Sequence, residues 1–568
     1  MHWLPPIGRV LRERLEMEEG AAPKRREPRW LTAGHLEQPP AMPLVITCVS
    51  TSHTGTKVPL LSFTSNTHSP SRHKVTSATA QDEGPLGLFA AKRPLGAAPV
   101  IRSEKRTYGK PTKPRLGLGA ANSPQAAISG VSDTAPLVHN PTPARKPVEG
   151  YPLSGLSTGT LLRSLLITTI SSHRALLIPA LKTLSFLAKP GRTVLFDVDR
   201  NPVLHAILRK TFYDQFCTGE TAAETRACVQ RLKGLGFRGV ILTYAKETVF
   251  DHLTQSAVEH GKVSGESVGG FDADIEDWKR GTLETAAQIE EGDYLAIKLT
   301  GAGRAVTTAF AANELPPQQM QDALDEIATV CKQRGIKIIV DAESTHFQKT
   351  IDHVTLELMR RFNRDGTAAI YNTYQAYLKH TPDNITNHLS EAAKDGFTLG
   401  LKLVRGAYIL SDNRSLIHDT KEDTDNAYNY ISQGAVKRCI GEFGGEGSES
   451  KPFPSVDLLL ASHNKESLFA ALKLHQERMK GNLPTVPISF GQLHGMSDQV
   501  SFSLLQAKSE GLEGPNVFKC STWGTMGECL AYLLRRAVEN RDAVLRTTDE
   551  HHAVKSECWR RMRSVFSV

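Results

Sequence analysis

The sequence predicts an α/β chain: a closed (β/α)8 TIM-like barrel preceded by helices and by a disordered N-terminal leader. Three observations carry that prediction. Eight short apolar runs between residues 239 and 520 alternate with stretches of helical periodicity, the pattern of parallel strands joined by crossover helices. Most runs end in a polar or reactive residue, as barrel strands do at the face where chemistry collects. The composition also changes character after about residue 150.

Residues 1–150 are rich in Ser, Thr, Pro and Ala and lack sustained periodicity. Such a stretch buries too little apolar area to offset chain entropy, so disorder is expected. The first thirty residues mix Arg with Glu13, Glu16, Glu18 and Glu19. From Met42 to Gln81 there is no acidic residue, while Ser, Thr, Lys57, Arg72 and Lys74 are present. That is an organelle-targeting composition, and initiation at Met42 is the accompanying expectation. The chain's net charge is +8, and the first 150 residues hold 20 Lys and Arg against 11 Asp and Glu, or +9. The rest holds 48 against 49 and so has no basic surplus for nucleic acid. The eight cysteines are scattered from Cys48 to Cys558, with no CxxC and no zinc-ligand spacing, so no metal site is expected.

A helical arm is expected over 151–235 and the barrel over 236–562. The stretch 161–188 is apolar but interrupted by Arg163, His173, Arg174 and Lys182, too often for a membrane span. It reads as a pair of amphipathic helices covering an apolar surface, with lying on a membrane surface as the second reading. Residues 201–219 are helical in pattern and aromatic-rich (Phe212, Tyr213, Phe216). The eight strand-like runs are 239–244, 294–299, 336–341, 369–375, 400–406, 456–463, 488–494 and 516–520. Two stretches read as insertions: 262–281, lengthening the first crossover, and the Gly/Glu/Ser-rich loop 441–450.

The strand ends bring Lys298, Asp341, Glu343, Gln375, Arg405, His463, Asn464 and His494 to one mouth. The segment 532–540 then reads as a helix whose Tyr532, Arg535, Arg536 and Glu539 share a face at i, i+3, i+4, i+7. Two guanidiniums make a poor core face and a good grip for a carboxylate. There is no GxGxxG and no GxxxxGK[ST] to signal a nucleotide. The run 402–408 sets Gly406 and Ala407 where a flat ring could approach backbone, with Lys402 and Arg405 as nearby cations. The residues alone therefore support a barrel enzyme for a small carboxylate, with room for an anionic cofactor.

The chain resembles the proline dehydrogenase (proline oxidase) family, in particular the monofunctional mitochondrial type of fungi. The resemblance rests on Ile297-Lys298-Leu299, Val340-Asp341-Ala342-Glu343, Tyr374-Gln375-Ala376-Tyr377, the run from Lys402 to Tyr408, Ala461-Ser462-His463-Asn464, Gln492-Leu493-His494-Gly495-Met496, and Tyr532 through Asn540. It implies an FAD-dependent enzyme that oxidises L-proline to Δ1-pyrroline-5-carboxylate and passes electrons to a membrane quinone. It also implies a mitochondrial location, in the matrix or at the inner membrane. By the same resemblance Lys298, Arg535 and Arg536 hold the substrate carboxylate, and Asp341 and Glu539 orient those cations. Tyr532 and Leu493 wall the ring. Gln375, Lys402, Arg405, Gly406, Ala407, His463 and Asn464 line the flavin. The segment from Thr420 to Thr424 is similar to the family's adenine-side segment, and Glu247 to a gate residue paired with Arg535. Two departures stand out. Cys520 occupies the end of strand eight, where many relatives have a substrate-contacting tyrosine, and Lys402 stands where some bacterial relatives have arginine. A thiol leaves room for a larger ring, so a paralogue oxidising hydroxyproline is the alternative enzyme, and a non-catalytic flavin- or proline-binding barrel the alternative of another class.

Overall fold

The computed structural model describes residues 150–566 apart from 190–191, 245–247, 252–255, 260–270, 410, 446–449, 508–511 and 540–543. At 248–251, 256–259, 535–536, 538–539 and 544–547 the backbone alone is described. The leader, with its targeting stretch and Met42, lies outside the described residues, as does Glu247.

Every expected strand forms: β1 (Gly239–Tyr244), β2 (Tyr294–Ile297), β3 (Lys337–Val340), β4 (Ile370–Gln375), β5 (Leu399–Val404), β6 (Val456–Ala461), β7 (Ile488–Leu493) and β8 (Asn516–Trp523). They close into a TIM-like barrel in the order β1-β8-β7-β6-β5-β4-β3-β2, every neighbouring pair parallel. Side chains alternate across each strand, and the two faces pack separately. Ile241, Tyr294, Ala296, Ile339, Tyr371, Leu459 and Phe518 fill the interior. Their neighbours, including Ile338, Val340, Leu401, Leu403, Leu458 and Leu460, form the larger core under the helices. Because both faces are buried, the strands read as continuous apolar runs, and this made them visible in the sequence.

Two expectations need correction. The stretch 262–281 is not simply an insertion, because its second half opens the first crossover helix, Ala273–Ala286. The Asp272 side chain accepts from the Asp274 and Ile275 N–H groups, and Asp274 and Glu276 sit in the first turn, where carboxylates favour the helix dipole. Trp278 is buried on this helix and donates to the Lys298 carbonyl at 3.0 Å. Strand β8 also runs to Trp523, three residues beyond the expected end, so Cys520 is mid-strand. It sits opposite Leu493, the last residue of β7, and opposite Ile241 of β1.

The arm forms as two helices, α1 (Thr158–Ser172) and α2 (Arg174–Leu187), broken at His173. The pair does cover apolar surface. Helix α1 packs on the last helix, Val544–Phe566. Helix α2 packs on Met526–Glu539, where Leu187 joins Met526, Cys529, Leu530 and Leu533 in one cluster. The aromatic-rich segment becomes the helix Pro202–Leu208, a π turn Arg209–Tyr213 and a last turn Asp214–Phe216. It docks on the loop after β7, where the Gln215 amide donates to the Gly495 carbonyl at 2.9 Å. Gly495 has φ +70°, and a Cβ there would lie 1.9 Å from the Gln215 carbonyl oxygen, so only glycine admits the contact.

Candidate active site

Lys298 and Asp341 each follow the interior residues of their strand by two positions, and Lys402 alternates with the outward Leu401 and Leu403. All three therefore project inward at the C-terminal ends of β2, β3 and β5. The structure brings them together. Lys298 Nζ donates to Asp341 Oδ2 at 2.5 Å, and Lys402 Nζ to Asp341 Oδ1 at 2.6 Å. Both lysines are buried. Burial pushes the Asp341 carboxyl up, but the two ammoniums overcome it and hold the group well below the usual carboxylate range. One carboxylate thus orients two cations from two other strands.

Gln375, buried at the end of β4, links the neighbouring loops. Its amide donates to the Glu343 carbonyl at 3.1 Å and accepts from the Ala407 N–H at 3.2 Å. The Glu343 side chain is buried, accepting from the Thr300 N–H at 3.1 Å and from the Thr300 hydroxyl. His463 Nε2 accepts from the Leu493 N–H at 3.1 Å, which leaves the proton on Nδ1 of a neutral ring. Cys520 and Leu493 are level with one another on adjacent strands, with Cys520 packed against the interior cluster.

Other strand-end residues go elsewhere. Arg405 donates from Nε to Asp425 (2.8 Å), from one terminal nitrogen to Ser462 and from the other to Ser467 (3.0 Å), and it lies over the Tyr428 ring. Asn464 caps the following helix, accepting from the Ser467 N–H. His494 points outward, its Nδ1 at 3.1 Å from the Ser521 hydroxyl, and burial first, then Lys519, pushes it down to about 3. Thr420 and Asp423 form a capping box at the start of Lys421–Lys437, which occupies the Thr420 hydroxyl. Gly406 has φ +149°, and a Cβ there would meet the Tyr377 ring at 2.2 Å.

The helix Met526–Glu539 follows β8 after a two-residue turn and buries Leu530, Leu533 and Leu534. Tyr532 is half-buried against the arm cluster. The side chains of Arg535, Arg536 and Glu539 lie outside the described residues.

One organising group left no mark in the sequence. Asp412, buried in the loop after β5, accepts from the Thr345 N–H (2.9 Å), from the Ser344 and Thr345 hydroxyls (3.1 Å each) and from the Tyr377 hydroxyl. Burial and this carboxylate keep the Tyr377 phenol protonated. A single Asp ties together the loops after β3, β4 and β5.

The donor set fits a flavin. An inward amide, an ammonium and an imidazole N–H stand on the adjacent strands β4, β5 and β6, and a ring system bearing carbonyl and imine acceptors would meet them there.

Residues 226–549 match the family described as proline dehydrogenase. The chain is 28% identical over 405 residues to a probable mitochondrial proline dehydrogenase of Schizosaccharomyces pombe, covering 62% of this chain and 80% of that one. It is 30% identical over 396 residues to a hydroxyproline dehydrogenase of Bos taurus, covering 63% and 82%. Among solved structures, proline utilization A from Bdellovibrio bacteriovorus, inactivated by N-propargylglycine, is similar in fold. It has a TM-score of 0.50 at 15% identity, over 66% of this chain and 38% of that one.

Proposed function

The chain belongs to the proline dehydrogenase family, a family of FAD-dependent oxidoreductases, and from that premise we propose that it oxidises L-proline to Δ1-pyrroline-5-carboxylate and delivers the electrons to a membrane quinone. The observation that carries this reading is the Lys298–Asp341–Lys402 bridge at the barrel mouth. It would hold one cation for a substrate carboxylate and a second for the cofactor. Bound FAD would accept a hydride equivalent from the carbon beside the ring nitrogen. Gln375, Lys402, His463 and the backbone at Gly406–Ala407 would hold it.

The chain's own groups supply position. Lys298 with Arg535 and Arg536 would clasp the carboxylate, with Glu539 orienting the guanidiniums and Leu493 and Tyr532 bounding the ring. A neutral ring nitrogen needs no strong base, so fixed geometry contributes most of the acceleration. Arg405 acts at one remove, bracing the loop that carries Gly406 and Ala407 through Asp425, Ser462 and Ser467. A mitochondrial location, as in the monofunctional fungal type, agrees with the acid-free stretch from Met42 to Gln81.

A second reading, oxidation of hydroxyproline, is favoured by Cys520. A thiol level with Leu493 leaves space that a tyrosine would fill. Anaerobic titration of the FAD-loaded protein decides. Bleaching by L-proline supports the first reading, and bleaching by hydroxyproline alone supports the second. A protein that takes up no FAD, or is bleached by neither, refutes both and leaves a non-catalytic barrel.

A further inference from the structure

The backbone at Gly406 and Ala407 is held from two sides. Arg405 is the brace toward β6. The opposite brace runs through Tyr377, just past the end of β4. Its N–H donates to the Arg405 carbonyl at 2.8 Å, and its carbonyl accepts from the His418 N–H at 2.8 Å. Its ring lies against Gly406 on the side that a Cβ would occupy. Its hydroxyl donates to Asp412 Oδ2, and burial with this carboxylate keeps the phenol protonated and so a donor. Tyr377 therefore grips the loop after β5 ahead of Gly406 and again at Asp412, with the Ala407 N–H between the two grips. Asp412 Oδ1 accepts from the Ser344 hydroxyl at 3.1 Å, the Thr345 N–H at 2.9 Å and the Thr345 hydroxyl at 3.1 Å. The residue before that pair closes the circuit. The Glu343 carbonyl accepts from the Gln375 amide at 3.1 Å, and the Gln375 oxygen accepts from the Ala407 N–H at 3.2 Å. Hydrogen bonds thus run in a ring from Asp412 to Ser344 and Thr345, from Glu343 to Gln375, from Gln375 to Ala407, and back along the chain to Asp412.

We propose that Asp412 is a positioning residue for the cofactor. It holds Tyr377 against Gly406 and the turn from Glu343 to Thr345 against the same loop, and so fixes the Gln375 amide and the Ala407 backbone where they would meet the flavin. The inference rests on the proposed FAD site and adds a residue standing one layer behind it. Hydrogen bonds to a carboxylate are the stronger kind, and Asp412 is buried, so water does not compete for them. A loop already ordered in this way spares FAD the entropic cost of ordering it on binding. Asp457 is the control. It is also buried, near the opposite end of the barrel, and accepts from the Ala368 N–H at 2.9 Å and the Tyr371 hydroxyl at 3.3 Å. It holds the turn before β4 rather than the loops at the mouth.

Release of FAD from the loaded full chain tests it, followed by the flavin fluorescence that returns on dilution, beside urea unfolding of the same samples. Asp412→Asn and Tyr377→Phe should each raise the Kd for FAD about tenfold or more, the size of a lost hydrogen bond to a charged group. The double variant should add little to Asp412→Asn alone, because the two changes remove one shared bond. Asp457→Asn should lower the unfolding midpoint yet keep the wild-type Kd. Variants at 412 and 377 that hold FAD as tightly as the wild type overturn the proposal, whatever their stability, and leave the proposed FAD site standing. So does an Asp457→Asn chain that releases FAD as readily as they do, since the loss then follows stability and not position. Where Asp412→Asn fails to fold, Tyr377→Phe alone decides. A wild type that takes up no FAD overturns this inference and the proposed function together.

Discussion

Asp341→Asn changes almost no volume and removes the charge that holds two buried ammoniums. In the wild type each carboxylate oxygen takes one lysine, Lys298 at 2.5 Å and Lys402 at 2.6 Å. The amide keeps one acceptor and turns an N–H toward the second ammonium. Breaking a buried pair by removing one partner costs about 3–5 kcal/mol. Two pairs share this carboxylate, but its side chain keeps 15% exposure, so water softens the loss and the same about 3–5 kcal/mol is expected for the whole site. The assay is urea unfolding of the FAD-loaded chain for Asp341→Asn, Lys298→Met and the double variant. If the bridge is real, the double variant loses less than the two singles combined, by about 1.5–3 kcal/mol for one charge-assisted bond. The pH dependence has a fixed sign. The folded carboxyl lies below its unfolded value, so its contribution is complete above the unfolded pKa, about 3.9, and fades as pH falls through the folded one. The wild-type advantage over Asp341→Asn should therefore be level from pH 5 to 8, within the range above about 3.9, and shrink only in stronger acid. A loss under about 1 kcal/mol, as exposed pairs give, or strict additivity in the cycle, would refute a buried shared carboxylate.

Arg535→Met and Arg536→Met should each raise KM for the imino acid roughly ten- to hundredfold, from the loss of one charge-assisted contact of about 1.5–3 kcal/mol, and initial rates at varied substrate measure it. Normal kinetics in both would remove that helix from the site. Cys520→Tyr should lower KM for L-proline and raise it for hydroxyproline. If it instead loses about 1–3 kcal/mol of stability with both KM values unchanged, the thiol faces only the packed interior. Glu550 accepts from the Asp498 N–H at 2.8 Å, and burial, then Asp498, pushes its carboxyl up to about 7. A raised carboxyl stabilises the fold at low pH and loses that contribution as pH climbs from about 4.5 to about 7. Denaturation midpoints for Glu550→Gln should accordingly lack the decline that the wild type shows across that window.

The barrel was legible because its strands are buried on both faces. β3, with Ile338, Ile339 and Val340, and β6, with Leu458, Leu459 and Leu460, announce themselves as β-branched or leucine runs bounded by polar residues. Period two then placed Lys298, Asp341 and Lys402 on the inner face. What alternation could not supply was the direction taken once a strand ends. Arg405 and Glu343 both follow strands by a residue or more, where the pleat no longer dictates orientation. One turned to Ser462 and Ser467, and the other to Thr300. The ending of β8 was hidden for a related reason. Ser521, Thr522 and Trp523 lack an apolar run, and they are strand only because β1 continues beside them through Tyr244. Asp412 was invisible because its partners Thr345 and Tyr377 are 67 and 35 positions away in the chain.

A single layer of structure separates the exposed face of the arm from the helix of the proposed substrate site. Helix α2 presents Leu176 and Phe186 outward and packs Leu187 against Met526, Cys529 and Leu530 of the helix that carries Arg535 and Arg536. A helix with its side chains is about 10–12 Å across, so the backbone bearing the arginine pair stands roughly that far behind the exposed face. Close-packed layers of this kind pass displacement on rather than absorb it. The same cluster takes in Tyr213, whose hydroxyl donates to the Gly524 carbonyl at 2.7 Å, in the turn between β8 and the arginine helix. Anything that moves α2 therefore acts on both ends of that turn. The arm does more than cover apolar surface, because it packs directly on the helix that follows β8.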